Sequence, residues 1–429
     1  MENVKGKRLL LLGGIAHAME IVRAAQEMGV VVYVTDYYEM SPAKTIADKA
    51  VRVSTTDVEA LTKFCRDEKI DGVITGFIDS MLPYCEKTCT RMGLPFWGTQ
   101  EQIEVCIHKG LFKDACRRYG VPLAKEYSLE HDGTGLIRNE VLEEIKYPVI
   151  VKPVDNSGSR GVYVCRNERE LEENFRSALS FSKSKQVLVE QCLTGQHVNM
   201  YYTLSNGEIY LSAMADRYVD YLDGKSAPLP VCLIHPSRYL EDYLAETDEK
   251  IKSMFRGLGM RDGVAFVQGF RCDDGQFVIY EMGYRLNGGG TYSLIEACSG
   301  YNQLKMLIRF SLTGQMGETE ALRQGSAKFE RLAVNYVLSV SGGEIDQIRG
   351  LDRIRQMDCV CNVIQVRFPG DSISGKGGSA QVIAYVLLVV DDKKALASAL
   401  DEIKEHVQVT DRDGNDLQVV PFDVSVIPE

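Results

Sequence analysis

Short apolar runs alternate with amphipathic stretches through the first hundred residues of the chain. "RLLLLGG" reads as a strand closed by a glycine turn, and residues from about Ala16 to Met28 repeat their apolar positions with a helical period. "VVVYVTD" is a second strand ending at Asp36, and "DGVITGF" is another. Strand–helix–strand alternation of this kind predicts a doubly wound parallel sheet within an α/β fold. From Glu101 to Tyr119 the pattern predicts one helix, stopped by Gly120 and Pro122. Lys109 and Lys113 share one face of it, a spacing that by itself marks a solvated edge.

Further on, the period switches to that of strands. "YYTLSNGEIYLS" predicts a hairpin turning at Asn206-Gly207, and "VQGFRCDDGQFVIYEMG" one turning at Asp274-Gly275. The last hundred residues carry the β-rich run "SAQVIAYVLLVV", a helix near Lys393–His406 and a closing strand near Asp416–Val426. The expected architecture is a doubly wound N-terminal domain, a two-lobed α+β middle and a β-rich C-terminal closing domain. No internal repeat or low-complexity linker separates them.

Composition narrows the function classes. A chain of 429 residues suggests three domains of about 100–200 residues each. The net charge of -11 argues against non-specific grip on nucleic acid or anionic lipid, so any phosphate must be held by local groups. The twelve cysteines form no Cys-x-x-Cys pair, and the six histidines do not cluster beside them. Neither a zinc site nor a disulfide framework is expected, which points to a reducing cytoplasm. The basic-then-apolar start "KGKRLLLLGGIA" reads as a buried first strand in preference to a secretory signal, and no stretch reaches the ~18 apolar residues of a membrane span. The turn Gly13-Gly14 with Asp36 hints at a nicotinamide site, but "GGIAHA" lacks the spaced glycines of that fingerprint.

Candidate chemistry concentrates in three places. In "VIVKPVDNSGSRGVYVC", Lys152 stands before a Ser/Gly loop whose backbone N–H groups could cradle an anion. The lysine precedes the glycines, so this is no Walker A loop, and a Ser/Gly loop alone is usually just a turn. In "QVLVEQCLTGQHVNM", Glu190 ends a strand before a hinge-like "CLTG". In the second hairpin, counting outward from a two-residue turn sets Gln268 opposite Glu281, close enough for both oxygens to meet one cation. Gly283 and Arg285 continue that face, beside the run Asn287-Gly288-Gly289-Gly290. A cross-strand polar pair with a solvated arginine is the plainer reading of the same residues.

Taken in order, these stations resemble the ATP-grasp superfamily over the whole chain. "PVIVKPVDNSGSRGV" is similar to its strand lysine and phosphate loop, "VEQCLTGQHV" to its adenine hinge, and "QGFRCDDGQFVIYEMGYRLNGGG" to its metal-and-arginine hairpin. "LGGIAHAMEIVRAAQEMG", "DGVITGFIDS" and "GLPFWGT" resemble the pre-ATP-grasp domain of carbamoyl phosphate synthetase and biotin carboxylase, and the C-terminal segment resembles L-amino acid ligases and purine-pathway members. The resemblance implies three domains, 1–108, 109–325 (lobes 109–190 and 191–325) and 326–429. It implies a carboxylate–amine ligase working through an acyl phosphate, with ATP and Mg2+ (Mn2+ as the alternative ion), small carboxylate and amine substrates, and a homodimer as a common state.

By the same resemblance, Lys109 and Lys152 would hold the phosphates under a lid of Asn156, Ser157, Gly158, Ser159 and Gly161. Glu190, Gln191, Leu193 and His197 would surround the nucleoside, Gln268 and Glu281 the metal. Arg285 would hold the acyl phosphate, with Lys152 catalytic beside it, and Arg217, Asn287, Gly288 and Gly289 would meet substrate. Tyr218, His235 and the turn near Lys376 are further candidates. Departures are plain: Gln268 replaces a second carboxylate, Gly283 an asparagine, and His197 a ribose-binding glutamate. The counted first hairpin sets His197 opposite Asp216. Rival readings are a purine-pathway enzyme acting on a ribonucleotide, and a nucleotide-binding regulator with a degenerate site. A biotin-dependent carboxylase is disfavoured, because no biotin-accepting lysine motif occurs.

Overall fold

The computed structural model describes residues 3–129, 131, 142, 144–155, 161–220, 228–317, 320–375, 378–418 and 422–427. The lid residues Asn156, Ser157, Gly158 and Ser159, and Lys376, lie outside that set. The first strands, β1 (Arg8–Leu12), β2 (Val31–Thr35), β3 (Lys49–Val51) and β4 (Gly72–Thr75), form a parallel sheet in the order β3-β2-β1-β4. After Arg8, β1 is wholly apolar because both its faces are covered: Leu9 and Leu11 enter one core, Leu10 and Leu12 another. Asp36 accepts a hydrogen bond from the Gly14 N–H at 2.8 Å and one from the Tyr38 N–H at 3.2 Å. Its carboxylate thus braces the glycine turn.

The single helix expected over 101–119 is two helices, Gln100–Ile107 and Lys109–Arg118. His108 breaks them with extended backbone, φ -93° and ψ 109°, and its Nδ1 accepts from the Leu111 N–H at 3.4 Å to start the second. Lys109 is therefore the first residue of a new helix. A four-stranded antiparallel sheet follows, built from β5 (Glu126–Tyr127), β6 (Val149–Pro153), β7 (Tyr163–Cys165) and β8 (Val187–Gln191) in the order β5-β8-β6-β7.

The largest element is one eight-stranded sheet. It comprises β9 (Gly195–Ser205), β10 (Glu208–Asp220), β11 (Leu229–His235), β12 (Gly263–Cys272), β13 (Phe277–Gly283), β14 (Leu332–Ser339), β15 (Val360–Gln365) and β16 (Val382–Val390). Their order is β13-β12-β9-β10-β11-β14-β16-β15, so the C-terminal strands extend the sheet that carries both hairpins. Ile234 of β11 and Val334, Tyr336, Val386 and Leu388 of the C-terminal strands enter one core with Leu396, Leu400 and Ile403 of the helix Lys393–His406. Among the described residues of Asp416–Val426 there are only isolated bridges at Asp416 and Gln418 and a 3-10 turn at Val424–Val426, and the short strand lies earlier, at Gln408–Thr410. Among the described residues no helix is long and apolar enough to cross a membrane.

Candidate functional site

Register across the large sheet decides which side chains meet. Phe270, His197, Arg217, Leu233, Asn335, Leu387 and Asn362 form one row of directly opposed residues. Glu281, Gln268, Asn199 and Ala215 form the next row of the same face, two residues along each strand. A hairpin carboxylate and the residues at β14 and β16 thus look out from a single surface.

Gln268 does face Glu281. The loop behind them has three residues, Asp273 to Gly275, with Gly275 at φ +84°, and a bulge between Gln268 and Gly269 restores the register that this third residue shifts. Gln268 Nε2 donates to Asn199 Oδ1 at 3.2 Å. Glu281 is the exposed position of β13, where desolvation by the protein around it and then the charge of Asp79 raise its carboxyl above the ordinary range, opposed by Lys109, Arg285 and Lys152. Among the described residues no three His, Cys, Asp or Glu side chains gather to hold a metal. Glu281 with the Gln268 carbonyl still suits magnesium, which binds one or two protein carboxylates alongside substrate phosphates. Gly283 has no room for the asparagine of the family pattern, because a Cβ there would meet the Phe266 ring.

Lys152 ends a chain of paired charges that is buried at Lys113 and Glu190. Glu190 pairs with both Lys152 and Lys113, and Lys113 also pairs with Glu126, which Arg117 reaches. Lys113 is only 2% exposed, so it is an internal cation and not the solvated edge its spacing suggested. Glu126 and Glu190 oppose each other across β5 and β8, and Lys113 is what lets two carboxylates sit there. Burial, then the charges of Lys113 and Lys109, push Lys152 down to about 7 against Glu281 and Glu126, and its ion-pair partner Glu190 is shared between two ammonium groups. Burial also lowers Lys109, against Glu281 and Asp155. Glu190 is committed to lysines in this structure, and its adenine-reading role is not apparent from its contacts. Gln191 is exposed and Leu193 half-buried in the turn between β8 and β9. Gly161 keeps φ +76° with Phe181 packed where a side chain would stand.

His197 faces Arg217, not Asp216, because a bulge between Leu211 and Ala213 shifts the hairpin by one residue. Its ring lies 4.1 Å from that of Phe270, and burial, then Arg217, lower it to about 3. Asp216 instead accepts from Ser237 at 2.5 Å and pairs with Arg238 at 3.3 Å. Tyr218 packs on Phe422 at 5.1 Å and borders the C-terminal core, and His235 is fully buried with Nδ1 2.9 Å from the Ala333 carbonyl. Neither opens onto the cleft.

Arg285 is held by a residue that the sequence reading did not single out. Its Nε and Nη2 meet Asp79 Oδ1 and Oδ2 at 2.7 and 2.5 Å, and its guanidinium lies 4.9 Å over the Phe266 ring. Asp79 follows β4, at the carboxyl end of a parallel strand where such sheets place ligands, and that position was the available signal. Asn287 Oδ1 accepts from the Gly289 N–H at 2.8 Å, Asn335 Nδ2 donates to the Gly289 carbonyl at 2.7 Å, and the His17 ring lies 3.3 Å from where a Gly288 Cβ would stand.

Residues 145–292 match the family described as ATP-grasp domain, and residues 9–92 match the PylC-like, N-terminal domain. A formate-dependent phosphoribosylglycinamide formyltransferase of Sulfurisphaera tokodaii is 30% identical over 43% of this chain and 46% of its own length. Dapdiamide A synthase of Enterobacter agglomerans is 23% identical over 60% of this chain and 61% of its own length. The chain therefore spans about half to three-fifths of these relatives. The crystal structure of an L-amino acid ligase from Bacillus licheniformis superposes with a TM-score of 0.74 at 18% identity, over 94% of this chain and 98% of that one.

Proposed function

We propose that this chain, which carries an ATP-grasp domain behind a PylC-like N-terminal domain, is an ATP-dependent carboxylate–amine ligase. The observation that carries the reading is the convergence of Lys109, Lys152 and Arg285 on Glu281, opposite an amide that can share a cation with it. Such a site has little covalent work to do; it positions substrates and neutralises charge.

In this reading a substrate carboxylate oxygen attacks the γ-phosphorus of ATP, ADP leaves, and an acyl phosphate forms. An amine nitrogen then attacks the acyl carbon, inorganic phosphate leaves, and the nitrogen gives up a proton. Lys109 and Lys152 would bind the phosphate chain, and Arg285 would hold the transferred phosphoryl group with its forked donors. Glu281 and Gln268 would hold magnesium, which screens the negative charge between phosphates. Asn287 fixes the Gly288-Gly289 backbone against the substrate. Residues 1–108, 109–325 and 326–429 are the domains of this scheme, an amino acid is the favoured acid, and the cytoplasm its setting.

A purine-type reaction on a ribonucleotide amine is the alternative, supported by likeness to the formyltransferase. A degenerate, binding-only site is supported by the filled space at Gly283. Phosphate release from magnesium ATP across paired panels of acids and amines separates the three. Release that needs one acid and rises with one amine supports the ligase. Nucleotide binding without stimulated release by any pair rejects it.

A further inference from the structure

Three arginines of this region are matched with carboxylates. Arg23 pairs with Glu20, Arg238 with Asp216 and Arg285 with Asp79. Arg217 and Arg367 have no carboxylate partner among the described residues; Arg367 only touches the carbonyls of Val366 and Ala380, at 3.4 and 3.3 Å. Both are partly buried, in a chain whose net charge is -11 and which has acids to spare. Leaving a partly desolvated guanidinium unmatched costs stability, so its retention points to a ligand that supplies the missing charge.

Arg367 lies beside β16, its N–H donating to the Ile383 carbonyl at 3.2 Å, two residues before Tyr385. Arg217 projects from the row that contains Asn335 and Leu387, and Tyr385 is two residues from Leu387 on the same face. The Tyr385 ring lies 5.8 Å from that of His17, which itself lies against Gly288. Charges of both Arg217 and Arg367 act on the Tyr385 hydroxyl, and those of Arg367 and Arg285 on His17. The N-terminal domain, the hairpin sheet and the C-terminal strands all contribute to this junction. Asn335, 1% exposed, has its Nδ2 committed to the Gly289 carbonyl and its Oδ1 without a partner, an acceptor beside the Asn287–Gly289 run.

Resting on the ligase reading above, we infer that Arg217 and Arg367 bind an anionic group on the amine substrate, a group that the reaction leaves intact. The substrate class is an amine bearing a carboxylate or a phosphate monoester. Asn335 Oδ1 would accept from the substrate N–H, and Tyr385 with His17 would wall the pocket. An amine without an anion leaves both guanidinium groups unmatched and binds poorly.

The test uses the full chain with magnesium ATP, the acid panel, and three amines: L-alanine, L-alaninamide and O-phosphoethanolamine. One anionic amine is expected to exceed the amide by about ten- to hundredfold in kcat/KM, the range for a hydrogen bond to a charged group. That preference should collapse toward unity in Arg217→Gln and Arg367→Gln and be partly kept in the lysine variants. The ratio is taken within each variant, so a reduced folded fraction cancels. Which anionic amine leads names the source of the charge. Equal use of the amide by the wild-type protein, or a preference unmoved in both glutamine variants, overturns the inference while leaving the ligase reading intact. If no pair gives turnover, that reading fails, and titration of the same amines into the protein with a non-hydrolysable ATP analogue decides the anion site alone. Selective binding of an anionic amine, lost in both glutamine variants, would keep it; its absence would end it.

Discussion

Arg285 and Asp79 meet through two parallel hydrogen bonds, 2.7 and 2.5 Å long, that tie the segment after β13 to the segment after β4. In the proposed reaction the same guanidinium holds the transferred phosphoryl group, so one contact would both orient that side chain and link distant parts of the chain. Arg285→Ala should abolish product formation and also lower stability by about 1–3 kcal/mol, because Asp79 loses its partner. Asp79→Asn keeps one acceptor and should raise KM more than it lowers folding stability. Steady-state kinetics and urea melts of both variants check this.

Lys152 is held near a pKa of about 7, and nucleotide phosphates would return it toward the ordinary lysine range. At pH 8 the free protein then carries this lysine mostly neutral and a nucleotide complex would carry it protonated, so binding would take up a proton. Nucleotide affinity should fall as pH rises from 7 to 9. Without nucleotide the sign for stability is opposite: the unfolded lysine binds its proton more tightly, so this group's contribution to folding improves as pH rises from about 7 toward 10. Calorimetric titration in two buffers of different ionisation heat should show the uptake in wild type and not in Lys152→Met.

Lys113→Met would leave Glu126 and Glu190 facing each other with only Arg117 and Lys152 to answer them. A loss of about 3 kcal/mol is expected, the scale for breaking a buried ion pair from one side. Chemical denaturation measures it, and restoring near-normal stability by adding Glu126→Gln would identify repulsion as the cause.

Gly283→Asn, the change toward the usual family pattern, should cost about 1–3 kcal/mol by overpacking against Phe266. Combined with Phe266→Leu the penalty should shrink, and magnesium dependence measured in the double variant would show whether the amide adds a ligand.

Most of the architecture was readable because strand period, glycine turns and caps are local. Register was the weak point. Both hairpins were counted as ideal two-residue turns. The Asn206-Gly207 turn is one, with both residues at positive φ, yet a bulge at Ser212 moved His197 from Asp216 to Arg217. The other turn has an extra residue, and a bulge at Tyr280 cancels it, so Gln268 faces Glu281 although the count behind it was wrong. Bulges leave little trace in one sequence. Partners supplied from distant segments leave less: Asp79 lies 206 positions from Arg285, and the burial of Lys113 depends on carboxylates of two strands.

The unbroken run of strands from β13 to β15 bears on how this protein can be rebuilt. Its last hundred residues are not a detachable module, because β14 pairs with β11 residue by residue, from Cys232 opposite Tyr336 to His235 opposite Ala333. A chimera spliced near residue 325 must inherit that pairing along with the foreign strands. A slip of a single residue would turn Asn335 and its row into the opposite core and bring Val334 or Tyr336 toward the cleft. New selectivity is therefore easier to graft at single positions of this face than by exchanging the whole C-terminal segment.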